Sequence, residues 1–140
     1  HIAFAGENFE IIGDDSHRNN LYHSASKLLL GGIDVFNETH VFLADTANQE
    51  KLQAWVNRLD SLLALDLDAV IASHADAEGS FDKNALEATK AYLLEAIVQL
   101  SEAKDSTDFA DRMTQAHPDY KNKAVLALGS KVLMGEMTWG

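Results

Sequence analysis

With no cysteine among its 140 residues, this chain must do any chemistry with its six histidines, its carboxylates and its hydroxyls. Disulfides, thiolate zinc sites and cysteine nucleophiles are excluded, and only His, Asp and Glu remain to hold a metal. His74 is the sharpest candidate. It follows the apolar run Val70-Ile71-Ala72 and opens the more polar stretch His74-Ala75-Asp76. The C-terminal ends of strands in open sheets are where ligand-binding residues gather. Two readings are open for His74: a metal ligand, or a half-buried imidazole that bonds to backbone.

Two further groups carry possible ligands. His17 and His23 flank Asn19-Asn20 and, with Asp14 and Asp15, make a polar cluster. The cluster has no His-Glu-x-x-His spacing, and its Asp, Ser and Asn content is also that of an ordinary turn. Asp34, Asn37, His40 and Asp45 lie between Gly32 and Thr46, interleaved with Val35, Phe36, Val41, Phe42 and Leu43. That apolar content predicts a connection packed down on the core. His40 has the chemistry of a ligand or a proton-transfer group. Asp45 is read equally as negative charge placed ahead of a helix. No Gly-x-Ser-x-Gly elbow, phosphate loop or dinucleotide fingerprint is present.

The elements that must position these residues divide the chain near residue 46. One domain over 1–140 is expected, strand-rich to residue 45 and helix-rich beyond. Ile2–Ala5, Asn8–Ile12, Asn20–His23 and Lys27–Leu30 read as a meander of short strands broken by turn residues. Gly31-Gly32 predicts a sharp turn or a close backbone approach. Thr46 and Gln49 have the spacing of a capping box. Leu52, Trp55, Val56, Leu59, Leu62 and Leu63 then make one apolar stripe at helical period. Residues 68–72 read as a buried strand. A second helix is expected after Asp82, with Leu86, Leu93, Ile97 and Leu100 on one face. A third is expected from a Ser106-Thr107 cap to His117-Pro118, with Phe109 and Met113 inward. A fourth is expected over 120–132. Glu50, Lys51, Arg58, Asp60, Glu87, Lys90 and Glu95 read as solvated helix charges. The order predicts an α/β (α+β) fold, a sheet with helices on one face, whose other face needs a partner layer.

Composition limits the partners. Eleven basic residues against twenty-two acidic ones give a net charge of −11, without the basic patch that nucleic acid or an anionic membrane requires. No apolar run approaches the roughly 20 residues of a membrane span. A cytoplasmic setting is expected. The chain opens at His1 without Met or a signal-like stretch, and is expected to be part of something longer.

Leu21-Tyr22-His23-Ser24-Ala25-Ser26-Lys27-Leu28-Leu29-Leu30-Gly31-Gly32 resembles the strand–turn–strand before the bridging Asp of metallo-β-lactamase-fold hydrolases. Val35-Phe36-Asn37-Glu38-Thr39-His40-Val41-Phe42-Leu43-Ala44-Asp45-Thr46 is similar to the connection after that Asp in one branch of the superfamily. Val70-Ile71-Ala72-Ser73-His74 looks like the strand that ends in the last metal-binding His. Ala54-Trp55, Leu59–Leu62, His117–Tyr120 and the tail Gly135–Trp139 fit the same branch. The resemblance implies half of an αββα sandwich, a mostly antiparallel sheet covered by helices. It implies zinc or another divalent metal in the full-length protein, where the metal supplies a hydroxide nucleophile and polarises the scissile bond.

The family's main ligands, a His-x-His-x-Asp-His motif, are absent from this chain. Carried over by position, His74 matches the last metal His. The third-His position falls near Asp14, with His17 reaching it across a small gap. The bridging Asp aligns with Ile33, with Asp34 one step away. The resemblance therefore implies a metal-dependent hydrolase in the complete protein, inactive as this chain alone. Its alternative is a non-catalytic binding or self-association module with a degenerate metal site. The expected partners are the missing N-terminal half or a second copy of the chain, and a small-molecule substrate that the fold does not specify.

Overall fold

The computed structural model describes all 140 residues. Five strands form one sheet in the order β1 (Ile2–Phe4), β2 (Glu7–Ile12), β3 (Asn20–His23), β4 (Leu28–Leu30) and β6 (Ala69–Ile71). The first four pair antiparallel as a meander, and β6 adds parallel to β4. Two-residue strands β5 (Phe36–Asn37) and β7 (His74–Ala75) pair parallel as a separate ribbon. Four helices complete the chain: α1 (Gln49–Leu63), α2 (Asn84–Glu102), α3 (Ser106–Ala116) and α4 (Lys123–Leu133). The architecture is mixed α/β, as the order of patterns predicts.

Strand register shows which face the helices cover. Tyr22, Leu29 and Val70 lie side by side across β3, β4 and β6, and all three are buried. They share a core with Leu52, Trp55, Leu59 and Leu62 of α1 and Leu86, Tyr92 and Leu93 of α2. Each fully buried side chain of this size contributes roughly 1.5–3 kcal/mol. The next row, Ile11, Leu21, Leu30 and Ile71, lies on the opposite face because successive side chains alternate. Ile11 and Ile71 are exposed there and Leu21 and Leu30 only half-buried. One face of the sheet is covered by helices and the other is open and aliphatic.

Several local expectations shift. Helix α1 starts at Gln49 rather than Thr46, capped by Asn48, whose side chain accepts the Lys51 N–H. Thr46 is buried and donates its hydroxyl to the Leu43 carbonyl instead. Helix α3 is capped by Asp105, which accepts from the Asp108 N–H, while Ser106 bonds Glu136 and ties the tail down. Asp82 accepts the Asn84 N–H from just outside α2. The connection between Gly32 and Thr46 is packed down as expected, with Val35, Val41 and Leu43 buried.

Gly32 makes the close approach anticipated for the glycine pair. Its N–H reaches Asn20 Oδ1 at 2.8 Å, and a Cβ there would run into the Asn19 carbonyl oxygen. Backbone cannot yield as a flexible side chain does. Gly32→Ala is expected to cost on the order of 2 kcal/mol, measured by urea unfolding; an unchanged midpoint would show that this approach is slack.

Candidate functional site

Arg18 organises a buried cluster that ties the strand-rich half of the chain to α1. Its Nη1 donates to Asp34 Oδ1 at 2.9 Å and its Nη2 to Asp45 Oδ2 at 2.6 Å. Its guanidinium lies 4.3 Å from the centre of the Trp55 ring. Asp34 is fully buried and also meets Arg58 through both oxygens, at 3.3 and 3.4 Å. Trp55 Nε1 donates to the Asp34 carbonyl. A carboxylate taken out of water needs such partners, because an unpaired one costs several kcal/mol.

Asp34 is thus occupied by two arginines and is not presented as a metal ligand. Arg58, expected on a solvated face, turns inward to reach it. His17 is also placed away from metal chemistry: its side chain is 89% exposed beside Asp15, and it does not line the cleft described next. His23 stacks on Phe9 and bonds Glu7 and Ser26. No three His, Asp or Glu side chains come together in a way that would hold a metal ion. The residues of this chain do not by themselves fit a zinc site.

His74 and His40 do come together, in the lining of one cleft of about 340 Å³. His74 sits on β7, is exposed, and stacks on Phe36 of β5 with ring centres 4.6 Å apart. Its Nδ1 meets Ser73 Oγ at 2.9 Å. His40 is buried, with Nδ1 2.9 Å from the Tyr92 hydroxyl and no partner for Nε2. Ile33, Phe42 and Val125 make the walls apolar, and Arg18, Asp45 and Asn122 complete them. Ile33 lies in the same cleft as His74. Sequence reading missed Arg18 and Tyr92. A buried cation and a buried phenol carry no local signature, and their partners lie far along the chain.

Burial pushes His40 down to about 4, with the positive charges of His117 and Lys123 acting in the same sense. Burial also lowers His117, which stacks on Tyr120 and packs tilted against Tyr92. Burial raises Tyr92 well above its usual range. At neutral pH the His40 ring is therefore uncharged in the folded chain.

Two predictions follow the geometry. The unfolded chain takes up a proton at His40 near pH 6.5, whereas the folded chain resists until about 4. The stability this ring contributes is therefore present above pH 6.5 and lost as pH falls toward 4. His40→Phe should flatten urea midpoints across that window; an unaltered pH slope would contradict it. Arg18→Met should destabilise the chain by about 3 kcal/mol by leaving Asp34 under-compensated, and a loss within about 0.5 kcal/mol would mean that Arg58 suffices.

Compared with protein-family models, with curated proteins and with solved structures, the chain has no match to any family model, curated protein or solved structure.

Proposed function

We propose that the chain is the C-terminal half of a metal-dependent hydrolase of metallo-β-lactamase type, inactive by itself. The observation that carries this reading is the open aliphatic row Ile11, Leu21, Leu30 and Ile71 on a sheet already covered by helices on its other face. Four aligned aliphatic positions across four strands are what a second sheet packs against. His74 supports the same reading. It lies three residues beyond Ile71, past the end of β6, and lines the cleft. In the complete protein His74 would be this chain's one contribution to a zinc or other divalent-metal site. The remaining ligands would come from the covering half.

A second reading is favoured by two specific observations. Asp34 is locked between arginines, and the bridging position is Ile33. In that reading the chain is a non-catalytic binding module whose open face pairs with a second copy, and the metal site is degenerate.

The deciding experiment is made on the protein as its own cells produce it. Under the first reading its intact mass lies well above 15.3 kDa, it carries stoichiometric divalent metal, and His74→Ala removes that metal. A native mass near 15.3 kDa with a concentration-dependent dimer and no metal would overturn that reading and leave the second.

A further inference from the structure

We propose that Ser26, His23 and Glu7 form a surface site that hydrolyses uncharged esters with an apolar acyl group, with Ser26 as nucleophile and His23 as general base. The site lies at the turn between β3 and β4, shares no residue with the cleft of His40 and His74, and needs no metal. It stands whether or not the complete protein is a metal-dependent hydrolase.

Three serines contact a histidine ring nitrogen, and only one is arranged to lose its proton. Ser73 donates its one hydrogen to the Gly32 carbonyl at 2.6 Å, so toward His74 its oxygen accepts. Ser16 lies 3.2 Å from His17 Nδ1, but the Asp15 carboxylate approaches that same nitrogen, at 3.4 Å. Ser26 Oγ lies 2.6 Å from His23 Nδ1, and the Glu7 carboxylate lies 3.0 Å from Nε2, across the ring. A carboxylate only accepts, so the neutral His23 ring carries its proton on Nε2. Its Nδ1 then presents a lone pair, and the Ser26 hydroxyl donates to it. A hydroxyl aimed at an imidazole that a carboxylate orients is the arrangement that activates a serine.

The fold holds all three groups. His23 ends β3 and Glu7 opens the neighbouring β2. The register that pairs Ile11 with Leu21 brings Phe9 opposite His23, and alternation puts Glu7 on the same side as Phe9. Phe9 packs on the His23 ring with centres 5.1 Å apart, and the His23 side chain is only 13% exposed. Ser26 follows in the turn that the Lys27 N–H closes on the Ser24 carbonyl. Unlike the imidazole, Ser26 is exposed, so the nucleophile is open to a substrate.

The surroundings set the substrate class. Ile2 pairs with Phe9 and Phe4 with Glu7, so both point to the face that carries the His23 ring. Phe4 is 73% and Ile2 47% exposed, and with Phe9 they make an apolar shelf beside the imidazole for an acyl chain. Glu7 and a net charge of −11 disfavour an anionic substrate. In the reaction, Ser26 Oγ attacks the ester carbonyl carbon and its proton passes to His23 Nδ1. The bond to the leaving oxygen breaks, and the imidazolium, paired with Glu7, gives up that proton to the departing alkoxide. Water then attacks the acyl-serine, again losing a proton to His23. That proton returns to Ser26 Oγ as the carboxylic acid departs.

The test uses the full chain in EDTA with p-nitrophenyl butyrate. The expected result is release of p-nitrophenolate with one butyryl group carried on Ser26, located by peptide mass spectrometry after acid quenching. Ser26→Ala, at an exposed turn position, should remove the label and return the rate to that of buffer. His23→Ala should slow acylation about a hundredfold. Glu7 is a positioning residue. Glu7→Gln should slow acylation less than His23→Ala does, and should spread the His23 proton over both ring nitrogens in 15N-histidine spectra, where the unaltered chain shows it on Nε2. Relative to buffer hydrolysis, the butyrate should be favoured over p-nitrophenyl acetate. An undiminished rate in Ser26→Ala, a butyryl group on Lys27 in place of Ser26, or a His23 proton on Nδ1 in the unaltered chain would each overturn the proposal. Preference for the acetate would overturn its claim of an apolar acyl group. No metal is present in these measurements, so their failure is distinguishable from failure of the metal-dependent reading.

Discussion

The buried carboxylate of Asp34 is the constraint around which the strand-rich and helix-rich parts of the chain are fitted. Four side chains from two stretches of the chain must be in place for it to be buried at all: Arg18 before β3 and Asn20 within it, and Trp55 and Arg58 on α1. Such a cluster is poor evidence for net stability, since its desolvation cost offsets much of the attraction. It is good evidence for geometry. Arg18 can stack on Trp55 and reach both Asp34 and Asp45 only when α1 lies across the sheet in one position. Arg18 and Asp45 also line the cleft, so one side of it is set by the ion cluster.

The cleft shows how two imidazole rings are oriented by hydroxyl groups. His40 and His74 each have one ring nitrogen committed to a hydroxyl, Tyr92 or Ser73. Those hydroxyls belong to different parts of the fold: Tyr92 to the middle of α2, Ser73 to the turn between β6 and β7. Ring orientation is therefore tied to helix packing on one side and to the Gly32 backbone on the other. Thr89, one turn before Tyr92, bonds both backbone groups of Phe36 and so fixes the ring on which His74 stacks.

Much of this was legible in the sequence, for reasons that are local. Strands β2 to β4 follow from β-forming runs between turn residues, and the stripe from Leu52 to Leu62 follows from helical period. The α1 cap slipped by two residues, from Thr46 to Asn48, and the α3 cap by one, from Ser106 to Asp105, because hydroxyls had other uses: Thr46 bonds Leu43 and Ser106 bonds Glu136. Strands β5 and β7 have two residues each, too few for any alternation to register. The site was half legible. His74 stood out because a strand ends there, and His40 because it lies in an apolar connection. Arg58 looked like a solvated charge because its partner, Asp34, is 24 residues away along the chain. Only the fold shows that one face of α1 is both apolar and ionic.

The parallel pairing of β4 with β6 has a consequence for how the chain assembles. Leu28 meets Ala69 across about forty residues, so closing that pair costs far more loop entropy than any turn of the meander. The antiparallel strands and the helical stretch from α2 to α4 are built from near neighbours and form early. The sheet's last strand, and with it the turn that carries Ser73 and His74, docks only after α1 has folded between them. The cleft is therefore a late-forming part of the molecule, and the β4–β6 seam is where opening would release the His74 wall while the helices stay folded.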